Sequence, residues 1–195
     1  MEAHGGYLCR YEDVDVAWLL AIARDAAVQD GAPIDDCGLT VTVLGSARLV
    51  RFAYDAPITY GRAGARWYAA NHTLASRLSE HFSNAVHAYA FDPDLMEQVS
   101  TYARGRRVGG ERLMYDDVEL PEDDEDESAF QKMTRRWPVG RLATILGVER
   151  EQLLKLPRAP STLLELSKPT PPGPLWQLLP GGLSSFTFGQ LAVAR

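Results

Sequence analysis

An α+β fold is predicted for this chain: an antiparallel sheet with two helices on one face, extended by a β-hairpin, then a helical appendage. Three observations predict it. Over the first ninety or so residues, runs of β-branched and aromatic residues alternate with runs at helical spacing, in the order strand, helix, strand, strand, helix, strand. A glycine-bearing reversal follows near residues 105–110. Beyond residue 128 the spacing of apolar residues turns helical.

Tyr7-Leu8-Cys9-Arg10-Tyr11 suits a first strand. Asp13 or Asp15 is placed to cap a helix with Val14, Trp18, Ala21 and Ile22 on one side, and Gly31 and Pro33 end it. Leu39 to Leu44, the turn Gly45-Ser46, and Arg48 to Tyr54 form the clearest hairpin. Pro57 and Gly61 mark a loop. Ala65 to Phe82 reads as a helix with Trp67, Leu74, Leu78 and Phe82 on one face, and Val86 to Phe91 alternates as a strand. That order is the order of a ferredoxin-like split βαββαβ unit, whose right-handed crossovers put both helices on one face. Only one sheet face is covered in such a unit, so the other requires a partner, the appendage or the tail.

Met96 to Tyr115 follows as a hairpin, with Gly105 and Gly109-Gly110 permitting the reversal. A short helix over 94–102 is the alternative, since Leu95, Met96 and Val99 also fit helical spacing. Helices are expected over 130–137, 141–146 and 149–156, broken at Pro138. Five prolines after residue 168 discourage regular structure, although Trp176, Leu178, Leu179, Phe186 and Phe188 are too apolar for a plain linker. The expected organisation is therefore a sheet domain (1–118), an acidic linker (119–127), a helical appendage (128–167) and an apolar Pro-rich tail (168–195).

Charge is distributed unevenly. The chain has 26 acids and 20 bases, and nine of the acids lie between residues 116 and 127 with no base among them. Without those nine, 17 acids face 20 bases, so a slightly basic body carries a compact anionic block. The 46% apolar content excludes wholesale disorder. The opening residues have no basic segment followed by an apolar run, and no apolar stretch reaches the ~20 residues needed to span a bilayer, so a cytoplasmic protein is expected. Cys9 and Cys37 lack metal-ligand spacing and are expected as buried thiols.

The block supplies the leading candidate site: Asp116, Asp117, Glu119, Glu122, Asp123, Asp124, Glu125, Asp126 and Glu127. Such a run stays solvated, and it either divides two folded units or faces a cationic partner. It has no glycine and no alternating ligand spacing, so it is not a calcium loop. Leu142 to Leu156 is helix-turn-helix-like, with Ala143 where the helices would cross, Gly147 at the turn, and Leu142, Leu146, Val148, Leu153 and Leu156 buried between them. Its second helix begins Glu149-Arg150-Glu151, which sets carboxylates against phosphate. Arg135, Arg136, Arg141 and Arg150 are the candidate nucleic-acid contacts.

Arg104, Arg106, Arg107 and Arg112, with Tyr102 and Tyr115, form a second basic group, but the glycine-aromatic signature of RNA-recognition modules is missing. His72, His81 and His87 accompany serines without a nucleophile turn, an oxyanion-hole motif or metal spacing. No enzyme, cofactor or metal is expected. The function expected is a protein-binding module, an adaptor or immunity-type or antitoxin-type inhibitor, that engages a basic partner surface through 116–127. The alternative is a nucleic-acid-binding transcriptional regulator that reads through 141–156.

Overall fold

The computed structural model describes residues 3–29, 35, 37–55, 72–118, 127–169 and 172–180. Among them is one sheet of seven strands: β1 (His4–Arg10), β2 (Gly38–Leu44), β3 (Leu49–Asp55), β4 (Val86–Asp92), β5 (Met96–Ala103), β6 (Arg106–Met114) and β7 (Ser161–Glu165). Their order is β6-β5-β4-β1-β3-β2-β7, with every neighbouring pair antiparallel. Five helices accompany it: α1 (Val16–Gln29), α2 (Thr73–His81), α3 (Glu127–Thr134), α4 (Pro138–Leu146) and α5 (Arg150–Lys155).

β1 lies in the middle, with Tyr7 opposite Phe52 on one side and Ala88 on the other. Tyr7, Cys9, Val41, Phe52 and Tyr54 point to the face covered by α1 and α2, where they meet Leu19, Leu20, Leu74 and Leu78. α1 begins where Asp15 Oδ1 accepts the Trp18 amide at 3.0 Å. The expected stops at Gly31 and Pro33 fall outside the described residues, as does the stretch of the second helix that includes Trp67. Both cysteines are buried, and neither is in a disulfide.

Leu8, Leu49, Tyr89, Phe91 and Val99 face the other way and are covered by Val139, Leu142, Leu146, Leu153 and Leu156. The C-terminal helices therefore close the second face of the sheet. α4 and α5 are too short to persist alone. Each fully buried leucine contributes about 1.5–3 kcal/mol, and that contribution comes from the sheet as much as from the helix pair. Gly147 ends α4 in the left-handed conformation (φ 72°), and Val148 N returns to Ala143 O at 3.0 Å. Arg10 Nη2, from β1, donates to Leu146 O at 2.9 Å and satisfies a last-turn carbonyl of α4.

Three expectations require correction: the helical appendage, the place of Pro138 and the glycines of the 96–115 reversal. The appendage over 128–167 is not wholly helical: Ser161–Glu165 adds a strand to β2 with Leu164 opposite Leu39, because Leu164 alternates with exposed neighbours and enters the first core. Pro138 does not interrupt a helix but opens α4, where its missing N–H has no intrahelical acceptor to lose. The expected hairpin forms, with β5 over Met96–Ala103 and not the alternative helix over 94–102, but its reversal consists of Arg104 (φ 52°) and Gly105 (φ 74°) alone. Gly109 and Gly110 lie inside β6. The tail, of which 172–180 is described, docks on the body of the protein: Gly173 O accepts Val16 N at 2.8 Å, Leu175 N donates to Val14 O at 2.9 Å, and Leu175 and Leu179 enter the first core.

Candidate functional site

The acidic stretch leaves the sheet at the end of β6 through a single turn of 3-10 helix, Tyr115–Asp117, and rejoins described structure at α3. Its two ends converge on one indole. The Tyr115 ring lies 5.2 Å from that of Trp137, and the Phe130 ring meets the same indole edge-on at 6.1 Å. Tyr115 N also donates to Leu95 O at 3.0 Å, which fixes the departing end to the β4–β5 turn. Three aromatic side chains thus bring together the residues that flank the stretch.

Beneath this clamp lies a buried ion pair. Glu97 of β5 is fully buried, and its Oε1 accepts from Arg150 Nη2 and, at 3.2 Å, from Tyr115 Oη. Its Oε2 accepts Val139 N at 2.9 Å, satisfying an orphan amide of the first turn of α4. The Arg150 guanidinium sits 5.8 Å from both the Phe91 and the Trp137 ring centroids. One carboxylate therefore joins β5, the start of α4, the start of α5 and the root of the acidic stretch. Burial raises the Tyr115 phenol's pKa, and the charge and hydrogen bond of Glu97 add to the rise while Arg150 opposes it. The phenol stays a donor through the physiological range.

The Asp116 and Asp117 side chains are exposed and make no hydrogen bond or ion pair among the described residues. Glu119, Glu122, Asp123, Asp124, Glu125 and Asp126 lie outside the described residues, and Glu127 is the first residue of α3. Arg135 and Arg136 follow α3, exposed and unpaired. Arg141 pairs with Glu111 of β6 at 2.7 Å, and Arg150 is taken up by Glu97. Glu149, whose charge counts against phosphate binding, is the N-cap of α5: its carboxylate accepts the Gln152 amide while Gln152 Oε1 accepts Glu149 N at 3.0 Å.

Sequence reasoning missed Glu97, Tyr115 and Trp137 as a unit. It also missed the close approach of α3 and α4 at Gly140, where a Cβ would lie 2.2 Å from Thr134 O. A cavity of about 420 Å³ opens between α3, α4 and α5, lined by Thr134, Arg135, Thr144, Glu149 and Arg150 among others, with charges of both signs. The aromatics considered for base stacking are engaged elsewhere, since Phe52 and Tyr54 face the first core and Tyr54 Oη donates to Ala23 O at 2.7 Å. His87 is buried on β4, with Nδ1 3.0 Å from Thr101 Oγ1, and burial lowers its pKa. His81 stacks on Trp18 at 4.0 Å. No group of three His, Cys, Asp or Glu among the described residues is placed to hold a metal, and no described helix is long and apolar enough to cross a membrane.

No protein-family model matches the chain, and no similar curated protein or solved structure was found.

Proposed function

We propose that the protein is a non-enzymatic binding module, of adaptor or immunity/antitoxin-type inhibitor character, whose acidic stretch 116–127 engages the basic surface of a protein partner. One observation carries the reading: the stretch is anchored at both ends on Trp137 while Asp116 and Asp117, at its root, remain exposed and unpaired. Nine carboxylates between residues 116 and 127, with no base among them, give the stretch a strong negative potential. A potential of that kind accelerates encounter with a cationic partner and discriminates against anionic ones.

Two finer readings of the architecture accompany this function. β4-β1-β3-β2 with α1 and α2 is read as a ferredoxin-like unit, supported by its strand order and its helices on one face. α4, Gly147 and α5 are read as a helix-turn-helix-like pair that serves as a second cover for the sheet. The engagement of Arg141 and Arg150 by Glu111 and Glu97 favours this use over reading DNA.

The test is capture from the native host's lysate, at low and high salt, by the wild-type chain and by a chain with the nine carboxylates changed to Asn and Gln. The reading expects a protein prey that the wild type retains at low salt and the neutralised chain loses. Equal capture by both chains, with the same salt response, refutes it. Nuclease-sensitive prey would instead favour a nucleic-acid regulator.

A further inference from the structure

We propose that β6 is the contact of a homodimer, in which two copies of this chain meet antiparallel across their β6 edges. β6 is an outermost strand, hydrogen-bonded to β5 on one side, and among the described residues nothing pairs with its other side. Arg106 to Arg112 are all exposed, and Val108 is 63% exposed. A nine-residue edge of this kind is a template for another strand unless something blunts it.

Two features of the strand point to a second copy as its occupant. The first is Gly109-Gly110. Glycine inside a strand weakens it by about 0.5–1 kcal/mol relative to alanine, yet neither glycine has a positive φ, a Cβ at Gly109 would meet nothing within 4 Å, and the nearest atoms to one at Gly110 are those of the exposed, flexible Arg107 side chain. The bulge between Thr101 and Tyr102 of β5 excludes Val108 from the ladder and leaves Gly109 to Met114 in regular pairing. The fold has no use for these glycines, whereas close approach of an outside backbone does.

The second feature is the order of charge. Arg104, Arg106 and Arg107 stand at one end of the strand and Asp116 and Asp117 just past the other. Arg106, Asp116 and Asp117 have no side-chain partner, and Arg107 makes only a 3.4 Å hydrogen bond to Gly109 O. In an isologous contact the same patch serves both copies, so it must be its own complement. A two-fold axis at Gly110 sets Gly109 of each copy opposite Glu111 of the other and brings the arginine end of each strand to the aspartate end of its mate. Arginines alone would repel a second copy; with the aspartate pair at the far end, antiparallel apposition is attractive and parallel apposition is not. This contact uses two of the nine carboxylates and goes beyond the binding function proposed above.

The test is sedimentation equilibrium of the full chain at low salt, with Arg106→Glu/Arg107→Glu, Asp116→Arg/Asp117→Arg, and their equimolar mixture. Self-association of the wild type is expected, weakened by about a hundredfold or more in each variant alone, since each then sets like charges against one another. The mixture is expected to restore a heterodimer, because each variant repairs the other. Hydrogen exchange on the wild type supplies a readout independent of the variants: β6 amides exchange more slowly at about 100 μM than at about 1 μM if a contact of micromolar strength forms. A monomeric wild type, variants that still self-associate, or folded variants that fail to pair with each other would overturn the proposal. The Arg106→Glu/Arg107→Glu chain retains the whole acidic stretch, so its capture of a basic partner stands or falls separately.

Discussion

Replacing Glu97 by alanine removes one carboxylate and strands three donors: the Arg150 guanidinium, the Val139 amide and the Tyr115 hydroxyl. Removing one partner of a buried ion pair typically costs about 3–5 kcal/mol, because the remaining charge is left uncompensated. The Arg150 side chain retains 13% of its exposure, which lets some water reach it and places the expected loss near the lower end, about 3 kcal/mol. For a chain of this size that corresponds to roughly 6–12 °C in Tm. The assay is urea unfolding at neutral pH, read as a drop in the midpoint at unchanged m.

Arg150→Met should produce a comparable loss by leaving Glu97 buried without its cation. The double substitution Glu97→Met/Arg150→Met should lose much less than the sum of the two, since an apolar pair of similar volume often replaces a buried ion pair with little change. A loss below about 1 kcal/mol for Glu97→Ala, or strict additivity in the double variant, would refute the claim that this pair ties the sheet to α4, α5 and the acidic stretch.

Two further outcomes follow from local geometry. Gly140→Ala pushes a methyl against Thr134 O, 2.2 Å from the ideal Cβ position, and overpacking of this kind costs about 1–3 kcal/mol, measurable as a lowered Tm with unchanged far-UV circular dichroism. Glu12 is the second case. Burial raises its pKa, but hydrogen bonds from Asn84 and Ser83 outweigh that and hold it below 4.5. Its folded-state pKa lies below the unfolded one, so its contribution is complete above pH 4.5 and disappears as pH falls through the folded value. Glu12→Gln should flatten the stability profile in that acid window and leave its slope near neutrality unchanged.

The hairpins were legible in the sequence because β-branched alternation and turn residues coincide at 39–54 and 96–114. So were the leucines of 142–156, which form a buried set. Their destination was not. Helical spacing identifies an apolar stripe without naming what it covers, and the leucines that suit a helix pair suit a sheet face equally. A signal was present: β1 and β4 carry apolar residues in both alternations, Leu8 between Tyr7 and Cys9, and Tyr89 between Ala88 and Ala90, which marks a sheet covered on both sides. β7 escaped notice because its five residues, 161–165, hold too short an alternation to stand out.

The candidate site divided along the same line. The acidic stretch is a compositional feature and visible at once. Its closure on Trp137 depends on Tyr115 and Phe130 approaching from opposite ends of that stretch, and the Glu97–Arg150 contact spans 53 residues. Arg150, read as a phosphate contact, had no visible partner in the sequence because its carboxylate lies on the far side of the hairpin. Charge near a turn reads as surface until the chain's path brings an acid beneath it.

Steering of a basic partner by the acidic stretch 116–127 is the central proposal, and the association rate constant tests it most directly. Surface plasmon resonance against the captured partner, at ionic strengths from about 20 to 500 mM, should show a rate constant that falls steeply as the Debye length shortens. Neutralising the nine carboxylates should bring the rate at every salt concentration to the high-salt wild-type value. A rate constant insensitive to salt, or the same in both chains, would contradict the account.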